Sequence, residues 1–182
     1  MNSLNTILVL ATAYLGVFLE STFTGVRNLL GAQPDILPGL VAYASLTSGL
    51  GLGTLTAVAG GLWLDCLSAN PPGISILPLF AVGLVIERYR GLILRDQAYA
   101  QFLTGLGASA AVPAFTLLLL LNASRNVLIG WDSLWQWLVM TLIGGALTPC
   151  WFLFFGWLLR TLSYEAMPDP TARSNREIKR GR

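Results

Sequence analysis

Residues 36–64, ILPGLVAYASLTSGLGLGTLTAVAGGLWL, form a run of 29 residues without a charged side chain. The run is longer than the roughly 20 apolar residues that one membrane-spanning helix needs, and shorter than two full spans with a loop. Gly49, Gly51 and Gly53 lie near its middle, and clustered glycine interrupts helices. We therefore expect two short helices with a tight turn between them. One long, tilted helix is the alternative interpretation of this run.

Uncharged runs also occur at residues 66–86, 97–124 and 133–159, and the first 19 side chains carry no charge. Only 11% of the 182 residues are charged, against about 25% in an average soluble domain, and the mean hydropathy is +0.66. A soluble domain of this length cannot bury so much apolar surface. The sequence predicts an all-α integral membrane protein, because in lipid each segment must satisfy its own backbone hydrogen bonds.

The breaks between these runs predict a six-helix transmembrane bundle over residues 1–162 and a short, disordered basic tail at 163–182. The expected helices cover residues 4–19, 36–48, 52–67, 74–86, 98–121 and 133–162. Pro34 and Asp35 are expected to open the second helix, with Pro34 near its first turn and Asp35 beside the positive end of its dipole. Residues 68–73 are expected to form a loop.

Basic residues are distributed unevenly between the two sides of such a bundle. Six helices place both termini on one side, and the opposite side holds only Arg27 and Arg125. The side of the termini holds nine basic residues, namely Arg88, Arg90, Arg95, Arg160, Arg173, Arg176, Lys179, Arg180 and Arg182. The positive-inside rule therefore predicts that both termini are cytoplasmic. These basic residues either report this topology alone or also bind anionic membrane lipid.

Residue types that carry out catalysis are scarce in this chain. It has no histidine, and its two cysteines, Cys66 and Cys150, are isolated from any zinc-binding spacing. Glu20 and Asp65 are separated from other charges, but no nucleophile or metal-ligand set accompanies them. We therefore expect no enzyme, no metal or cofactor site, and no nucleic-acid partner.

Small residues recur every four positions along the third predicted helix, at Gly49, Gly53, Ala57 and Gly61. Such a stripe lets two helix backbones approach closely. It is either a packing face within this chain or a docking face for another membrane protein.

Asp65 continues the same spacing and has uncharged runs on both sides. An ionisable residue at membrane depth is a candidate functional residue. Its structural interpretation is a cap on the 68–73 loop, which begins at Ser68, or a pair with Arg27 or Arg125. A ligand, ion or partner contact is the alternative.

The order of these features resembles the MreD family of bacterial rod shape-determining proteins. The resemblance covers residues 4–162, and its specific part is 34–90. The motifs that carry it are Pro34-Asp35, then Gly60-Gly61-Leu62-Trp63-Leu64-Asp65-Cys66-Leu67-Ser68, the loop that ends at Gly73, and Glu87-Arg88-Tyr89-Arg90. Pro38 and the polar stretch 69–72 depart from the family pattern.

This resemblance implies a non-enzymatic scaffold of the wall-elongation complex in the bacterial cytoplasmic membrane. Its partners would be MreC and, through it, the actin-like MreB, the peptidoglycan synthase RodA and a class B penicillin-binding protein. The implied fold is similar to the S components of energy-coupling-factor transporters. An S component that binds a vitamin is therefore the alternative function, with Trp63, Asp65, Asn70 and Trp135 as its few polar and aromatic candidates.

Overall fold

The computed structural model describes residues 3–22, 25, 31–68, 71–95, 97–122 and 130–162. These residues form six helices and no strand, which confirms the all-helical prediction. The helices are α1 (Ser3–Thr22), α2 (Leu37–Ser48), α3 (Leu50–Leu67), α4 (Ile76–Arg88), α5 (Ala98–Asn122) and α6 (Trp131–Leu162). The predicted tail, 163–182, lies outside the described residues.

Four of these helices, α1, α3, α5 and α6, are long and apolar enough to cross a membrane. The other two are shorter, because α2 has 12 residues and α4 has 13. At 1.5 Å per residue they extend over about 18 and 20 Å, against about 30 Å for the hydrocarbon core of a bilayer. The six predicted helices are thus present, and four of them are candidate membrane spans. These four indicate a multi-pass membrane protein.

The short helix α2 lies at the centre of the bundle. All residues from Leu37 to Leu46 are buried, and α2 contacts each of the other five helices. Tyr43 of α2 stacks on Phe155 of α6 with ring centroids 4.6 Å apart. A helix at the centre of a bundle has no face toward solvent. It is therefore expected to be uncharged and to lack an amphipathic pattern, as α2 does.

The break between α2 and α3 is the single residue Gly49. Its φ of 83° lies in the left-handed region, where a side chain would be strained. The Gly49 N–H donates to the carbonyl oxygen of Ser45 at 3.2 Å and ends α2. The predicted break is confirmed, and the alternative of one long helix is wrong, but only α2 is short, because Leu50–Leu67 has 18 residues.

The helices alternate in direction, so the bundle has two ends of different charge. Asn5, near the start of α1, donates to the Ser48 hydroxyl at the end of α2, with 3.0 Å between Nδ2 and Oγ. At the other end of α1, the backbone oxygen of Glu20 accepts a bond of 2.6 Å from the Gln33 amide. We call the end that holds Arg88, Arg90 and Arg95 the basic end, and the end that holds Glu20, Asp35 and Asp65 the acidic end.

Candidate functional site

At the acidic end, Asp35 supports the start of the central helix. Its Oδ1 atom accepts the N–H of Leu37, the first residue of α2, at 2.9 Å, and Asp35 is buried. This satisfies one of the N–H groups that a helix leaves unpaired at its start and places a carboxylate at the positive end of the dipole. Pro34 lies three residues before α2 and not in its first turn as expected, whereas Pro38 takes the position there that proline tolerates.

Asp35 shares this end of the bundle with Glu20 of α1. The two carboxylates lie close enough to interact electrostatically, and the Oε2 atom of Glu20 is buried with no hydrogen bond among the described residues. Burial raises the pKa of Asp35 to about 6, and the bond from the Leu37 N–H opposes this shift. From the sequence, Glu20 is an isolated charge and Asp35 is expected to open the second helix. The fold brings these two residues close together.

Asp65, the last buried residue of α3, holds the loop that leads into α4. Its Oδ2 atom accepts the N–H of Gly73 at 2.7 Å and the N–H of Ser75 at 3.2 Å. The Ser68 hydroxyl lies 3.5 Å from the backbone oxygen of Asp65. This geometry matches the capping interpretation of Asp65. Arg27, Arg125 and Asn70, the other residues considered with it, lie outside the described residues.

At the basic end, two arginines contact the last turn of α2. Arg90 donates from Nη2 to the Thr47 carbonyl oxygen at 3.0 Å, and Arg95 donates from Nη1 to the Leu46 carbonyl oxygen at 3.2 Å. Arg90 also pairs with Glu87 at 3.7 Å. Arg90 and Arg95 therefore supply donors to the unpaired carbonyls at the end of a short buried helix. Arg95 is also exposed, and the role of both residues at the membrane surface stays a prediction.

Arg88 differs from these two arginines in its bonding. It is exposed, as Arg95 is, but no hydrogen bond or ion pair joins it to the part of the chain that the structure describes. Of the remaining predicted membrane-surface residues, Arg173, Arg176, Lys179, Arg180 and Arg182 lie outside that part.

The stripe of small residues on α3 packs against helices of this chain. A Cβ on Gly53 would overlap the Ser45 side chain of α2, and one on Gly61 would lie 3.1 Å from the Ile76 backbone of α4. Ala57 is fully buried, and a Cβ on Gly49 would lie 3.1 Å from Arg90. The stripe therefore lies inside the bundle, in agreement with the packing interpretation and not with a docking face.

A second junction of small residues was missed by the sequence analysis. It joins α2, α5 and α6 at Gly39, Gly105 and Gly144, with Thr148 between them. A Cβ on Gly105 would overlap Thr148, one on Gly144 would overlap Ser109, and one on Gly39 would lie 2.9 Å from Thr148 Oγ1. The four-residue spacing of Gly144 and Thr148 is a weak sequence signal of a helix-packing face. The residues of α2 and α5 that pack against this face can be identified only from the assembled helices.

The charged side chains at both ends of α2 bind the backbone groups of helix ends. Among the described residues, no three Asp, Glu or Cys side chains lie together where they could hold a metal ion. The Trp63 side chain packs edge-on against Tyr14 of α1, beside an apolar cleft of about 490 Å³ between α1 and α3. A second apolar cleft, of about 550 Å³, lies between α4 and α5.

Comparison with known proteins gave no match: no protein-family model, no curated protein and no solved structure is similar to this chain.

Proposed function

We propose that the chain is a non-enzymatic scaffold of a bacterial wall-elongation complex, of the MreD type, in the cytoplasmic membrane. One observation carries this proposal: Asp35, Asp65, Arg90 and Arg95 use their charged groups on the backbone of the chain's own helix ends. The outer surface then consists mainly of apolar helix faces, with Ile7 66%, Leu153 74% and Trp157 65% exposed. Such faces recognise lipid and other membrane helices through close packing.

We infer the partners from the sequence motifs that resemble the MreD family. The Pro34-Asp35 pair and the 60–68 motif carry the resemblance to MreD, and in the structure Asp35 and Asp65 each hold the start of a helix segment. On this proposal the partners are MreC and, through it, MreB, RodA and a class B penicillin-binding protein. The peptidoglycan chemistry would reside in those partners and not in this chain.

Deletion and co-purification test the scaffold function together. We expect that deletion of the gene makes a rod-shaped host round, and that the full chain restores the rod and co-purifies with MreC from its membranes. A chain with Asp132→Asn, at an exposed position in the first turn of α6, should restore the rod as well as the unchanged chain does. A host that keeps its shape without the gene, together with no recovery of MreC, would refute the scaffold.

The S component of a vitamin transporter stays as the alternative, and one observation favours it. The buried Oε2 atom of Glu20 has no partner among the described residues and lies beside Asp35 at the acidic end. A ligand with a donor group would satisfy it. Calorimetry that shows tight, stoichiometric binding of a vitamin, lost in Glu20→Gln, would favour this alternative over the scaffold.

A further inference from the structure

The cleft between α4 and α5 is the larger of the two apolar clefts described above. Its volume is about 550 Å³. The α4 wall is formed around Ala81, Val82 and Val85, and the α5 wall around Gly107, Ala108 and Ala111. We call it the α4–α5 cleft. Small residues on both walls leave this space, and a Cβ on Gly107 would have no atom within 4 Å.

The walls of the α4–α5 cleft are suited to hydrocarbon. Thr104 is the one hydroxyl of its α5 wall, and this hydroxyl already donates to the carbonyl oxygen of Ala100 at 2.7 Å. The lining otherwise consists of aliphatic and aromatic residues, apart from the hydroxyl of Tyr89 at one end. A polar ligand would lose its hydration there without gaining hydrogen bonds.

The length of the α4–α5 cleft suits an extended acyl chain. Its α5 wall runs from Leu103 to Phe115, which corresponds to about 18 Å of helix. An extended acyl chain can lie along a groove of this length, between the small side chains of Gly107, Ala108 and Ala111 on one wall and Ala81 on the other.

The charge at the mouth of the cleft selects the headgroup. Tyr89 and Ile93 line the cleft at the basic end of the bundle. Arg88 does not line the cleft, but it follows Ala81 by seven residues and Val85 by three, so it lies beside the edge of the α4 wall. Arg90 and Arg95 are bonded to the carbonyl oxygens of α2, whereas Arg88 is exposed and has no bonded partner among the described residues.

From these observations we infer that the α4–α5 cleft binds one acyl chain of an anionic phospholipid, whose phosphate group is bound by Arg88. The guanidinium makes a charge-assisted hydrogen bond with the phosphate, and Tyr89 lies at the depth of the headgroup, where tyrosine is enriched. The lipid would join α4 to α5 where the two walls do not meet. This inference is independent of the scaffold function.

Photo-cross-linking of the full chain tests the proposal. The detergent-purified protein is reconstituted in phosphatidylcholine vesicles that contain a trace of phosphatidylglycerol with a diazirine in its acyl chain, and cross-linked peptides are identified by mass spectrometry. We expect cross-links to concentrate on the cleft walls. Gly107→Leu fills the cleft, and because it excludes several methylene groups it should reduce these cross-links by more than about tenfold.

Two matched variants control for non-specific effects. Gly156→Leu places the same bulk on α6, where a Cβ also meets no atom within 4 Å, and should leave the cleft cross-links unchanged. Arg88→Gln should remove the preference for phosphatidylglycerol over a phosphatidylcholine probe, whereas Arg160→Gln, which changes an exposed arginine on α6, should not. Ala111→Leu, on the same wall, repeats the test if Gly107→Leu is recovered in low yield.

Three results would overturn the proposal. One is cross-linking spread evenly over all helix faces and unchanged by Gly107→Leu. Another is an equal preference for phosphatidylglycerol in Arg88→Gln and the unchanged protein. The third is a dimer that Gly107→Leu dissociates without any effect on lipid cross-links, because the cleft would then be an interface with a second copy.

Discussion

The Nη2 atom of Arg90 lies 3.0 Å from the carbonyl oxygen of Thr47, 43 residues earlier in the chain. This bond, with that of Arg95 to Leu46, places positive charge at the C-terminal end of α2, while Asp35 places a carboxylate at its N-terminal end. Both charges complement the helix dipole. A helix too short to span a membrane can thus lie inside the bundle, because side chains satisfy the backbone groups that water would otherwise solvate.

Arg90→Gln should destabilise the fold. The Thr47 carbonyl would lose a charged donor, and hydrogen bonds to charged groups contribute about 1.5–3 kcal/mol. We expect a lower free energy of unfolding in detergent, with a further decrease when Arg95→Gln is added. Arg160→Gln is the matched control, because Arg160 is an exposed arginine in the last turn of α6. If Arg160→Gln and Arg90→Gln are equally destabilising, the bond to Thr47 is not the cause.

The helices themselves could be predicted from the sequence, because charged residues and glycine mark their ends. Gly49 interrupts the uncharged run where a left-handed φ is needed, and every observed helix end lies within three residues of the predicted one. The central position of α2 could not be predicted, because a helix that is apolar on all sides gives no direction. Whether it faces lipid or other helices depends on its neighbours.

The roles of the charged residues were harder to predict than the helices. Arg88, Arg90 and Arg95 lie in one charged connection, and only the fold shows that two of them reach the carbonyl oxygens of α2. In the same way, Glu20 and Asp35 are 15 residues apart with a polar connection between them, and only tertiary structure brings their carboxylates together.

Gly105→Ala should destabilise the junction of α2, α5 and α6. Its Cβ would overlap the side chain of Thr148, and added bulk in a packed core costs about 1–3 kcal/mol. Gly107→Ala, two residues along the same helix, has open space and should be neutral or stabilising by up to about 1 kcal/mol, because alanine favours helix. Thermal unfolding of both variants in one detergent measures the difference. Similar effects of the two substitutions would mean that α5 and α6 are farther apart than described.

Asp65→Asn and Asp65→Ala should differ. The amide of asparagine keeps one oxygen for the N–H groups of Gly73 and Ser75 that Asp65 Oδ2 now binds, so we expect a small effect. Alanine leaves both N–H groups unpaired, at about 1–3 kcal/mol for each buried donor. The yield of folded protein and its free energy of unfolding measure this. If asparagine is as damaging as alanine, the negative charge itself is required, as it would be for a bound cation or a basic partner.

Stability should increase as pH falls from neutral to about 5. Burial raises the pKa of Asp35 from 3.8 to about 6 in the folded chain. Protonation therefore favours the folded state over the unfolded state as the pH falls through about 6. Asp35→Asn should make stability less dependent on pH, whereas Asp132→Asn, at an exposed position, should not. Equal pH dependence in both variants would exclude Asp35 as the cause.

The basic end should face the cytoplasm. Arg160, near the end of α6, lies with Arg88, Arg90 and Arg95 at this end, because α6 runs parallel to α2: its Gly144 lies near Asp35 and its Phe155 stacks on Tyr43. Lysine and arginine are retained on the cytoplasmic side during insertion.

Cysteine labelling measures this orientation. In a background that carries Cys66→Ser and Cys150→Ser, Ser68→Cys should react with a membrane-impermeant maleimide in intact spheroplasts. Gly91→Cys, at the basic end and in open space, should react only after permeabilisation. A reporter fused after Arg182 should be cytoplasmic. Labelling of Gly91→Cys in intact spheroplasts would reverse the topology, and an external reporter combined with internal Gly91→Cys would mean an odd number of crossings after α4.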